Sequence, residues 1–290
     1  VRRNKLLGES AGQPINAPVS DLSELYVAVP ALLFAGAAAG FAGGLFGIGG
    51  GFVVVPALMF LLPMMGVSAG EVTHVAVGTS LASIIFTSLR ATQSHAKRES
   101  VDFELLRSWA IWVVLGTAVG TMVAGFISSR QLALIFGIGV MGFAVYFLLP
   151  ARKGDPLFAG LPTGLPRAGI ASALGAFSTL LGIGGGTVTT VTMTVCGEPI
   201  HRAIGTASGM GAIIAVPSTI GFMIIGFGEP GIGWGSLGYV NLPTAAALIA
   251  TSVLFAPHGV AAAHYLPAGI LRFFFGLYLA FIGLVMITRF

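Results

Sequence analysis

Two glycine triplets, Gly49-Gly50-Gly51 and Gly184-Gly185-Gly186, are the residues of this sequence best placed to do chemistry. Each lies inside a long apolar stretch, where glycine costs about 1 kcal/mol of helix stability against alanine. Small residues allow close helix crossing. A break in the helix does something else: it exposes backbone N–H groups that bind anions at the start of the following half-helix. Consecutive triplets favour the break. If the stretches span a bilayer, unwound backbone is tolerated only where protein buries it or a cavity meets it, and such a place is where a carrier holds substrate.

Hydroxyls accompany the triplets. Thr187 follows the second one directly, with Thr189 and Thr190 behind it, while Thr79 and Ser80 align with Thr206 and Ser208 further along. Most Ser and Thr in membrane helices bond the carbonyl four residues earlier, so those beside the breaks are the ones expected to meet a ligand. The expected anion-binding set is therefore the six triplet glycines with Thr79, Ser80, Thr187, Thr206 and Ser208. Asn241, two residues before Pro243, is a helix cap first and a ligand second. His74 and His201 open matched segments. With Arg202 they are candidates for gating or a proton-linked role, capping and a plain surface charge being the simpler alternatives.

Other chemistries lack their residues. The apolar spans hold no Asp or Glu to relay a proton or bind a cation. There is no Ser/His/Asp set, no metal-spaced cluster and no phosphate loop ending in Lys-Ser/Thr, so neither catalysis nor a cofactor is expected. The single cysteine, Cys196, excludes an internal disulfide framework.

The elements that must position these residues follow from composition. Of 290 residues, 56% are hydrophobic and 8% charged, with 43 glycines and a mean hydropathy of +0.96. Soluble domains carry roughly 25% charged residues, so a soluble globule is excluded. No Asp, Glu, Lys or Arg occurs from Leu25 to Gly70, Ser108 to Ser129, Ala168 to Gly197 or Pro230 to Leu271. A span needs about 20 apolar residues, and no segment alternates at period two. The expected class is all-α, a polytopic helical membrane protein whose lipid bilayer is its first partner. The net charge of +4 sits in short loops, which the positive-inside rule explains without nucleic acid.

Apolar segments run from Tyr26 to Met65 (interrupted at Gly43–Gly51), His74 to Leu89, Ser108 to Ile127 and Leu132 to Leu149. After a Pro/Gly-rich linker come Ala168 to Val195, again broken, then Ala203 to Ile225, Asn241 to Ala256 and Ile270 to Ile287, with His258 to Pro267 ambiguous. This gives a polar N-terminal arm (1–24) unlike a secretory signal, a first transmembrane repeat (25–149), a cytoplasmic linker (150–167) and a second repeat (168–290). The halves match twice in order. Leu45-Phe46-Gly47-Ile48-Gly49-Gly50-Gly51 pairs with Leu180-Leu181-Gly182-Ile183-Gly184-Gly185-Gly186, and His74…Gly78-Thr79 with His201…Gly205-Thr206, the mark of a duplication. Basic loops at Arg90–Arg107 and Pro150–Arg167 are expected inside, and the loops of Glu71 and Glu229 outside. An odd number of crossings per half then makes the repeats inverted, their glycine-broken hairpins meeting near the midplane. Backbone donors at that meeting would make an anion site without a basic side chain.

These motifs resemble the TauE/SafE family. The resemblance rests on the two glycine breaks, His74…Gly78-Thr79-Ser80, Ser100-Val101-Asp102-Phe103, Leu237-Gly238-Tyr239-Val240-Asn241-Leu242-Pro243, and His264-Tyr265-Leu266-Pro267 with Leu271-Arg272. It spans roughly Leu25 to Ile287. It implies a secondary transporter of a small sulfur oxyanion or organosulfonate, such as sulfite, in a bacterial inner membrane, with export by alternating access as the leading expectation. An importer, a carrier of another oxyanion or a carboxylate, and a passive anion channel remain alternatives. Gly- and Ala-rich faces leave a homodimer open. Ala207 stands where the first half has Ser80, a departure from two-fold symmetry at the site.

Overall fold

Each apolar stretch folds as a helix, and each triplet ends one helix and starts another. The computed structural model describes residues 22–149, 160–265 and 268–289. The N-terminal arm up to Asp21, linker residues 150–159 with Lys153, and the Leu266-Pro267 pair lie outside the described residues. Before the linker come α1 (Leu22–Phe46), α2 (Gly51–Leu61), a 3-10 turn (Pro63–Met65), α3 (Val72–Ala96), α4 (Phe103–Phe126) and α5 (Ser129–Leu148). After it come α6 (Gly164–Leu181), α7 (Gly186–Val195), α8 (Ile200–Ile225), a two-stranded hairpin of β1 (Ser236–Leu237) and β2 (Val240–Asn241), α9 (Leu242–Tyr265) and α10 (Ala268–Arg289). The ambiguous stretch after His258 is the continuation of α9, which runs through Pro257.

Seven of the described helices are long and apolar enough to cross a membrane. Helices α2 and α7, with 11 and 10 residues, extend only about 15 Å at 1.5 Å per residue and cannot span one. The outward face of α4, with Ile111, Leu115, Met122 and Phe126 exposed, is a surface for lipid. The chain is a multi-pass helical membrane protein.

Packing recurs in pairs. Helices α1 and α9 run parallel, Gly36 lying on Leu248, Gly40 on Ser252 and Gly44 on Ala256. Helices α4 and α6 do the same, Gly116 lying on Ser172 and Gly120 on Ala176. By contrast α3 and α8 are antiparallel, with Gly78 beside Phe222 and Gly211 beside Ser88; so are α5 and α10, with Gly137 beside Ile287 and Gly276 beside Leu148. The missing side chains are what let these backbones approach.

Two ends of the molecule follow. At one, Glu71 and Glu229 both act on Tyr239, and the Thr73 amide donates to Ser129 Oγ at 2.9 Å. At the other, Arg202 bridges Asp102 at 2.6 Å and Glu198 at 3.2 Å, Asp102 lying in the loop region that follows the end of α3 at Ala96. Helix α1 runs from the Glu71 end toward its break, and α2 returns to that end. Helices α6 and α7 form the matching hairpin from the Arg202 end.

Candidate functional site: crossed breaks beside a cavity

Gly50 and Gly185 stand immediately before α2 and α7 with φ of 86° and 71°, a left-handed conformation that disfavours any side chain. Each turns the chain so that a new helix begins against the other break. A Cβ on Gly51 would lie 2.7 Å from the Cα of Ile183 and nearer still to the Gly182 carbonyl. One on Gly186 would lie 2.5 Å from the Cα of Ile48, against the Gly47 carbonyl. The two hairpins therefore cross reciprocally, backbone on backbone. First-turn amides have no intrahelical acceptor, so two positive helix ends are brought to one place.

A cavity of about 340 Å³ reaches this crossing, within the size range of small-ligand pockets. Its deep end is Ile48 and Thr187. It extends past Thr190 and Thr194 along α7 toward Ile200 and His201 at the start of α8, with Leu45, Phe46, Phe147 and Ile204 as apolar wall. Arg272 and Tyr146 complete it. The Arg272 guanidinium donates through Nη2 to the Tyr146 carbonyl at 2.6 Å and through Nε to that of Phe147 at 3.2 Å. It also lies 4.7 Å from the Tyr146 ring centroid. The cation thus caps the C-terminus of α5, where carbonyls lack partners. The basic side chain that backbone donors were expected to replace is present.

The threonines of α7 divide into two kinds. Thr189, Thr192 and Thr194 donate to carbonyls four residues earlier, at 2.9, 2.8 and 2.8 Å. Thr187 and Thr190 line the cavity, and their buried Oγ1 atoms have no partner among the described residues. Matching the triplets sets Phe52, Val55 and Met59 of α2 against Thr187, Thr190 and Thr194 of α7. Those three α2 side chains are fully packed in the core, so the equivalent face of the other hairpin is sealed.

Thr187, expected to bind, and His201, a candidate for gating or a proton-linked role, both line this cavity. The remaining hydroxyls are committed to the protein. Thr79 Oγ1 accepts from the Asn241 amide at 2.9 Å, and Thr206 Oγ1 from the Asp102 amide at 2.9 Å. Ser80 donates to the Gly182 carbonyl and Ser208 to that of Ile204. Asn241 caps α9, its Oδ1 accepting from Thr244, and its Nδ2 donates to the Trp234 carbonyl and Ser236. His74 stacks on Tyr239 with centroids 4.8 Å apart, and its Nε2 meets the Ala124 carbonyl at 3.0 Å. Arg202 is held in its ion pairs outside the cavity. Arg272 and Tyr146 went unread as site residues; the one available signal was a lone cation opening the last apolar stretch.

Among the described residues ten helices pack together, two of them half-length, with a ligand-sized cavity ending where the short ones cross; this is the build of a polytopic membrane protein. Residues 32–286 match the family described as Sulfite exporter TauE/SafE, and the chain belongs to that family. A probable membrane transporter protein of Haemophilus influenzae is 32% identical over 258 residues, covering 89% of this chain and 97% of the relative. A probable membrane transporter protein of Methanocaldococcus jannaschii is 29% identical over 223 residues, covering 77% and 81%. No solved structure matches. The chain is a membrane transporter.

Proposed function

We propose that this transporter carries a small oxyanion, sulfite or a small organosulfonate, out of the cell by alternating access between two inverted halves. The observation that carries the reading is the pair of buried, unpartnered hydroxyls of Thr187 and Thr190 at the positive end of α7, facing a cavity. Leaving such groups unsatisfied costs about 1–3 kcal/mol each, and an oxyanion is the acceptor that satisfies hydroxyls and helix amides together. Antiparallel packing of α3 against α8, and of α5 against α10, supports the inversion, since these helices are equivalent in the two halves. With the basic loops inside, the cavity faces the cytoplasm, the loading side for export.

A channel would need a continuous path, whereas Phe52, Val55 and Met59 seal the opposite face; this favours a carrier. Counterflow in proteoliposomes tests the reading. Liposomes preloaded with sulfite or ethanesulfonate should accumulate the labelled anion saturably, and Thr187→Val should weaken binding about tenfold. Non-saturable flux with no counterflow would sink the carrier, and unchanged affinity in Thr187→Val would remove the α7 site.

A further inference from the structure

The cavity has two electropositive ends, one a helix N-terminus and the other a guanidinium. The deep pole is the start of α7 with the Thr187 and Thr190 hydroxyls. The second is Arg272, linked to Thr194 through Tyr146: the Tyr146 hydroxyl lies 3.4 Å from Thr194 Oγ1, and its ring carries the guanidinium. Thr187 and Thr194 are seven residues apart, which is about 10 Å along a helix. Between the poles the wall is largely apolar, with Phe46, Phe147 and Ile204.

Arg272 uses two of its five N–H groups on the α5 carbonyls. Among the described residues no carboxylate lies within ion-pair distance of it. Arg272 is part-buried against this apolar wall, where a counter-charge is favourable, and a ligand in the cavity can bring one. A single compact anion at the deep pole leaves Arg272 unanswered; at Arg272 it leaves Thr187 unanswered.

We infer, on the basis of the anion reading above, that the preferred ligand is an elongated dianion. One anionic group seats at Thr187 and Thr190 on the end of α7, and the other meets Arg272, with a short carbon chain lying along the apolar wall. Arg272 is then the residue that determines specificity between ligands with two charged ends and ligands with one.

The test is equilibrium binding to the purified full chain, comparing butanedioate with butanoate and ethanedisulfonate with ethanesulfonate, at a pH where every acid group is ionised. The dianion of each pair should bind about tenfold or more tightly, a difference of about 1.4 kcal/mol. Arg272→Gln should cost the dianions about tenfold or more and the monoanions less, bringing the affinities within each pair together, and Thr187→Val should weaken both. Equal affinity within each pair for the wild-type protein would overturn the inference, and so would an equal loss for both classes in Arg272→Gln. The wild-type comparison stands if that variant does not fold. If neither class binds, the anion reading itself fails and this inference falls with it.

Discussion

Ser80 Oγ donates to the carbonyl of Gly182 at 3.0 Å, tying α3 of the first half to the break of the second. The matched position is Ala207, which has no hydroxyl to offer Gly47, so the two breaks are anchored unequally. Ser80→Ala removes the donor from a buried carbonyl and should lower unfolding stability by about 1–3 kcal/mol. Thermal denaturation in detergent measures it, and an unchanged midpoint would show the tether to be idle.

Helix α2 contains Pro56, which has no N–H to give the Phe52 carbonyl four residues earlier. Tyr278 of α10 supplies the donor instead, its hydroxyl 3.1 Å from that carbonyl. Tyr278→Phe should therefore destabilise by about 1 kcal/mol. In a Pro56→Ala background, where a backbone amide can take over, the same change should cost close to nothing. A double-mutant cycle reads the coupling; additive losses would refute it.

Gly51 and Gly186 face backbone atoms, whereas a Cβ on Gly142 in α5 would meet nothing within 4 Å. Gly51→Ala and Gly186→Ala should each destabilise by about 1–3 kcal/mol through overpacking. Gly142→Ala should be neutral or stabilising. Melting midpoints of the three proteins decide it, and tolerance at Gly51 and Gly186 would mean that the crossing is loose.

Tyr239 donates to Glu71, and burial, that hydrogen bond and the charges of Glu71 and Glu229 together hold its phenol well above the ordinary value of 10.0. The folded-state value is raised above the unfolded one. Its contribution is therefore fully present below about pH 10 and lost as pH rises toward the folded-state value. Tyr239→Phe should melt lower than wild type at neutral pH by roughly 1 kcal/mol, and the gap should narrow in strong alkali. A gap independent of pH would exclude the phenol as its source.

Cysteines placed singly at Lys97, Glu71 and Glu229 in a Cys196→Ser background should divide by side. An impermeant thiol reagent applied to intact cells should label positions 71 and 229 and spare 97. Labelling of 97 from outside would reverse the orientation and turn the cavity outward.

The spans were legible because charge-free runs and helical length are local properties, and the breaks because a glycine triplet has few other uses. Helix α3 reaches Ala96, beyond the apolar limit at Leu89: its polar last turns hold Thr92 and Ser94, bonded to carbonyls four residues earlier, and His95, whose Nε2 meets the Gly44 carbonyl at 3.2 Å. The fate of the hydroxyls was not legible. Thr79 finds its partner at Asn241, far along the chain, and nothing local distinguishes it from Thr187, whose oxygen finds none. Arg272 was missed for the same reason, since its place in the cavity depends on where α5 ends against α10.

The reciprocal seating of Gly51 on Gly182 and of Gly186 on Gly47 has a mechanical meaning. Two hairpins that bear on each other's backbone at a point act as a fulcrum. Neither can withdraw without unloading the other, because no side chain lies between them to yield. A displacement of one arm would press directly on its counterpart, and a small tilt at the centre would become a larger swing at the tips of α2 and α7.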